Sequence, residues 1–248
     1  MNHFAYFTEI EDRFAQRRGS LLLLSTLDWA LIETWREAAV PLEAVLRGID
    51  AAFEKHEAQR ARLGTRRQRK VNGLGWCAQA VMEAAEQARE ASVGVASARP
   101  ERESGFEPAR VARFLKANAA QLEAAAVKLP AIASSAAAET AARLRELAAS
   151  LEVEQAAERP AIALEELDRT LTVLEEKFFS ALLASTPEAE LVALREQAAR
   201  ELAPYRGKMG AVQIKQVQQQ FLQKRLLESH LLPRLSLFYM PHEDGDEA

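Results

Sequence analysis

A single cysteine, Cys77, excludes an internal disulfide framework and fits a reducing compartment, so the expected location is cytoplasmic. Glycine and proline are scarce, at ten and nine in 248 residues, and aromatics make up 6% of the chain, which argues against a β-sandwich or barrel. The longest aliphatic run, Leu21–Leu24, is too short for a signal-peptide core or a membrane span, so no membrane partner is expected. Charge of one sign is also lacking, because the formal net charge of −4 rules out a polycation.

The catalytic vocabulary is equally thin. No G-x-x-x-x-G-K-[ST], no strand-linked G-x-G-x-x-G and no G-x-S-x-G occurs. The four histidines, His3, His56, His230 and His242, stand at no metal-ligand spacing. Cys77 falls on the apolar face of an expected helix, as a small core residue would. Adjacent acids such as Glu165-Glu166 and Glu175-Glu176 point in different directions on a helix and read as a solvated face. The sequence therefore predicts no enzyme, no cofactor and no small-molecule substrate.

What is abundant is Ala, Leu, Glu, Gln and Arg, all strong helix formers. The expected fold is all-α: a small N-terminal helical module, an Ala/Leu-rich helical bundle and a short extended C-terminal segment. The module is placed at 1–91, a linker at 92–105 where Gly94, Pro100 and Gly105 cluster, the bundle at 106–232, and the extended segment with its acidic tail at 233–248. Phe4–Phe14 reads as a first helix, stopped by Arg17-Arg18-Gly19. Ser25-Thr26-Leu27-Asp28 has capping-box spacing, with Asp in place of Glu, and Leu27, Leu31 and Trp35 follow every four residues. Pro41 then opens a helix whose stripe is Leu42, Val45, Leu46, Ile49 and Phe53. A polar loop is expected over 57–70, and a third helix from about Trp76, its first turn weakened by Gly73 and Gly75. Further helices are expected over 107–126, 134–151, 161–183, from Pro187, and over 212–228.

Charge concentrates in one place. Residues 1–104 carry 15 Lys/Arg and 15 Asp/Glu, and residues 105–248 carry 17 and 21. Within 55–70, however, Lys55, Arg60, Arg62, Arg66, Arg67, Arg69 and Lys70 face the single acid Glu57. A dense Arg patch pairs well with phosphate oxygens, so Arg60, Arg62, Arg66, Arg67, Arg69 and Lys70 form the candidate nucleic-acid site, with DNA as the expected partner. The competing reading is a solvated charged loop balanced by Glu54, Glu57 and Glu83. Trp35 completes an apolar stripe. Trp29 is less clearly inside, and Trp76, just beyond the basic loop, either packs on the first helix pair or stacks on a base.

At the other end, Leu235, Leu237 and Tyr239 alternate with Ser236 and Phe238, an extended periodicity. Either this stretch docks into the protein's own core, or Leu235, Leu237, Phe238 and Tyr239 bind a partner protein. The alternative function is accordingly a helical scaffold whose C-terminal half engages a protein.

The order helix, helix, basic loop, helix resembles the DnaD-like domain of replication-initiation and primosome proteins. Leu24–Trp35 is similar to that domain's acid–aromatic first helix, and Val40–Phe53 to its amphipathic second helix. In the last helix Trp76 takes the position of the family's Tyr and Ala80-Val81 that of its Ile-Leu pair, while Ala84 stands where the family has Trp. The resemblance implies DNA binding and self-association, with Arg66, Arg67, Arg69 and Lys70 near the DNA.

Overall fold

In the computed structural model, residues 3–19, 24–63, 71–92, 106–156 and 164–240 are described. Among them are nine α-helices and no strand: α1 (His3–Arg18), α2 (Thr26–Glu37), α3 (Leu42–Leu63), α4 (Ala78–Ser92), α5 (Pro108–Ala126), α6 (Ala131–Ala156), α7 (Leu164–Ser185), α8 (Glu188–Leu202) and α9 (Ala211–Ser229). The protein is all-α, as its composition predicts, and no described helix is long and apolar enough to cross a membrane.

Local chemistry sets most of the boundaries. Gly19 ends α1 at φ +72°, its N–H returning to the Ala15 carbonyl. The capping box forms: the Asp28 N–H donates to Ser25 Oγ at 3.2 Å, and the Ser25 N–H donates to Asp28 Oδ2 at 3.1 Å. The Pro41 carbonyl accepts the N–H groups of Ala44 and Val45 as α3 begins. Pro130 and Pro187 receive the first amides of α6 and α8 in the same way.

Two stretches depart from expectation. α3 continues to Leu63, so Arg60 and Arg62 lie on its last turns rather than in a loop. No glycine or proline interrupts 49–63, and Ala58, Gln59, Arg60, Ala61 and Arg62 all favour helix; polarity there marks solvent exposure, not irregular backbone. The third helix does not open at Trp76. A 3-10 turn, Leu74–Trp76, precedes it, and α4 begins at Ala78. The proposed linker lies, apart from Ser92 at the end of α4, outside the described residues.

The described residues divide into two compact units, each drawn from separate stretches of chain. One takes residues from 5–99 and 192–225, the other from 1–4, 100–191 and 226–248. In the first unit Phe7, Ile10, Phe14, Leu31, Ile32, Trp35, Val45, Ile49, Leu74, Val81 and Phe221 are buried. α3 and α4 cross there at Gly48, where an added Cβ would stand 2.4 Å from the Val81 Cα. In the second unit α5 and α6 form a hairpin and α7 packs on α6. α6 presents fully buried Ala133, Ala137, Ala141 and Ala148 with Leu144, and these small side chains let the neighbouring helices approach closely.

Candidate nucleic-acid interface

Asp28 does more than cap α2. Its Oδ1 accepts the Leu74 N–H at 2.7 Å, which ties the start of α2 to the 3-10 turn carrying Trp76. The side chain is almost wholly buried. Gly73 and Gly75, read from sequence as weak helix residues, are there for space. A Cβ at 73 would lie 2.9 Å from Asp28 Oδ1 and 3.0 Å from Tyr205 Oη, and one at 75 would lie 2.8 Å from the Tyr205 ring. Tyr205 belongs to a second 3-10 stretch, Ala203–Lys208. Its hydroxyl pKa is raised by burial, with Asp28 and Cys77 adding to the effect. Cys77 itself is fully buried, and that burial pushes its thiol far above the ordinary range.

Burial also raises the Asp28 carboxyl above its ordinary value, against the opposing pull of the Ser25 and Leu74 hydrogen bonds and the Arg18 charge. The folded state therefore holds this proton more tightly than the unfolded state does. Its contribution to stability is complete below the ordinary value of 3.8 and is lost as pH rises through the folded value. Wild type is expected to lose stability relative to Asp28→Asn as pH is raised from acid toward neutral, as measured by urea midpoints across that range. A constant difference would contradict the shift.

The turn delivers Trp76 half-buried to an aromatic and cationic cluster. The rings of Phe53 and His56, both on α3, meet it at 5.9 and 5.1 Å with interplanar angles of 62° and 87°. Lys208 Nζ lies over the indole at 5.5 Å from its centroid. His56 Nε2 is buried without a hydrogen-bond partner. Arg17 sits over Phe53 at 5.8 Å, held by Asp50 and Glu57 at 3.6 and 3.8 Å, so its charge is already compensated. The other tryptophans differ. Trp35 is 1% exposed, and Trp29 carries Phe7 stacked at 4.3 Å as well as Lys224 at 4.8 Å.

Of the sequence-selected basic residues, Arg62 is exposed near the end of α3, and Arg60 lies on the same helix. Arg66, Arg67, Arg69 and Lys70 lie outside the described residues, within the stretch that joins α3 to Val71. Lys208 and Tyr205 carried no local signal. The pair Gly73 and Gly75 was the one trace of a close neighbour.

The C-terminal candidates belong to the second unit, where Leu235 and Leu237 are 0% and 4% exposed. After α9 the chain runs without helix through 232–235 and closes in a 3-10 turn, Leu237–Tyr239. Ser236, which alternates with these leucines, is buried as well, its Oγ donating to Asp168 Oδ1 at 2.9 Å. The Leu237 N–H donates to the same oxygen, and the Leu235 N–H donates to Glu175 Oε2 at 2.6 Å. Arg234 Nε lies 2.7 Å from Glu175 Oε1, and its guanidinium covers the half-buried Tyr239. From α5, Asn118 and Gln121 donate to the Arg234 and Leu231 carbonyls. Glu175, read from sequence as part of a solvated pair, faces inward, while Glu176 is exposed. The Phe238 side chain lies outside the described residues. Among the described residues no three His, Cys, Asp or Glu gather as metal ligands.

Residues 5–95 match a family model whose description reads "Uncharacterised protein". No DnaD-like domain is found, which overturns the resemblance. The positions that carried it, including Leu27, Leu31, Trp35, Val45, Ile49 and Phe53, are buried core residues that any amphipathic helix pair can supply. No curated protein and no solved structure matches the chain.

Proposed function

We propose that the protein is a non-enzymatic nucleic-acid-binding protein that contacts phosphates through the basic residues at and beyond the end of α3. The observation that carries this reading is Lys208 lying over the half-buried Trp76, beside His56 of α3. The helix that touches this ring also bears Lys55, Arg60 and Arg62. The stretch holding Arg66, Arg67, Arg69 and Lys70 is joined to α3 on one side and, through buried Val71, to the Trp76 turn on the other. A cationic surface next to a π-face is the combination that binds nucleic-acid backbone and base together. A role in replication was implied only by the overturned resemblance and is not part of this proposal.

Replacing Arg66, Arg67, Arg69 and Lys70 together by alanine is expected to weaken binding at least tenfold and to flatten the log–log salt dependence by about 3. Fluorescence anisotropy with labelled DNA over a salt series reads both quantities. Absence of binding to single-stranded and duplex DNA alike at low salt would end the proposal.

A further inference from the structure

The three tryptophans offer different faces. Trp35 is fully inside, and a fixed aromatic ring stacks on Trp29. Trp76 is half-buried, and its two aromatic neighbours meet it at steep angles, so neither stacks on it. What lies over its ring is the ammonium of Lys208, an exposed side chain on a flexible stem. The stacking position on this indole is thus held by a group that can leave.

Resting on the nucleic-acid reading above, we propose that the site takes single-stranded nucleic acid, one unpaired base stacking on Trp76 in place of Lys208. The competition favours the base. An exposed cation–π contact amounts to about a 2- to 5-fold effect, whereas stacking of one base on an aromatic side chain amounts to about 5- to 150-fold. Lys208 is not wasted when displaced, because its ammonium can then meet a phosphate of the same strand. A duplex keeps its bases paired and stacked within the helix and has no free face to present, so it is left with the phosphate contacts alone.

The test compares a labelled homothymidine oligonucleotide with a duplex of equal length at low salt. Wild type is expected to prefer the single strand, with tryptophan emission quenched by it and not by the duplex. Trp76→Leu is expected to weaken single-strand binding about tenfold and remove the preference, while Trp76→Phe, which keeps an aromatic face, retains most of it. Circular dichroism melts establish that the variants fold. If Trp76→Leu does not fold, wild-type quenching decides the matter. Equal affinity for both forms without selective quenching would overturn the stacking proposal and leave the phosphate reading standing. No binding to either form would overturn both.

Discussion

Gly48→Ala is expected to destabilise the first unit by about 3 kcal/mol, a large part of the stability of an ordinary domain. Taken alone, alanine favours a helix interior over glycine by about 1 kcal/mol, so a solvent-facing site would gain from the change. Gly48 is not such a site. Its missing side chain is what lets α3 lie against α4, since a Cβ there would meet the Val81 Cα at 2.4 Å, the Val81 nitrogen at 2.7 Å and the Val81 Cγ2 at 2.8 Å. Two of these three atoms are backbone, so no rotamer change relieves the clash and the helices must separate. Separation would loosen contacts around Val45, Ile49, Val81 and Ala85, all buried. Gly210 supplies the control. Nothing lies within 4 Å of a Cβ placed there, and Gly210→Ala, at the N-cap of α9, is expected to cost no more than about 1 kcal/mol. Urea titrations of the two variants measure the contrast, and equal midpoints would show that the α3–α4 crossing tolerates a methyl group.

Glu175→Ala is expected to cost about 3–4 kcal/mol and to release the segment that follows α9. Both carboxylate oxygens are engaged, Oε2 by the Leu235 N–H and Oε1 beside the Arg234 guanidinium, and the residue is 6% exposed. Truncation removes the acceptor but leaves the amide and the guanidinium where they are. A buried donor without its acceptor is more costly than a bond that never formed. Glu175→Gln keeps one acceptor oxygen and the volume, so its cost should be smaller, about 1–2 kcal/mol. Asp168 holds the same segment seven residues earlier on α7, through Ser236 and the Leu237 N–H. Loss of Glu175 should therefore show first as faster amide exchange at Leu235, before exchange at Leu237 follows. Unchanged protection at Leu235 would mean that the apolar contacts of Leu235 and Leu237 suffice to seat the segment.

The same residues indicate how much was legible in the sequence. α2 could be read from local chemistry because Ser25, Asp28, Leu27, Leu31 and Trp35 all sit within three turns of one another. The length of α3 could not, because its last turns are polar on every side and a solvated helix end has no periodicity to distinguish it from a loop. Glu175 looked like any exposed acid, since what draws it inward is backbone some sixty positions away. The proposed site was half visible. The arginines proposed for it stand out by density, whereas the placement of Lys208, Tyr205 and His56 around Trp76 depended on which stretches share a unit. Charge density is local information, and stacking partners in this protein are not.

Tyr205 covers Gly73 and Gly75, and Lys208 covers Trp76, so the first unit is closed by residues from far later in the chain. This has a consequence for synthesis. On the ribosome, α1 to α4 emerge long before the stretch from 192 to 225 exists, and during that interval the glycine turn lacks Tyr205 and the indole, with Phe53 and His56 at its edges, lacks Lys208. The Trp76 turn is therefore among the last features of its unit to take final form, and a nascent chain halted before residue 192 would carry Trp76 without Lys208 over its ring and Gly73 and Gly75 without Tyr205 against them.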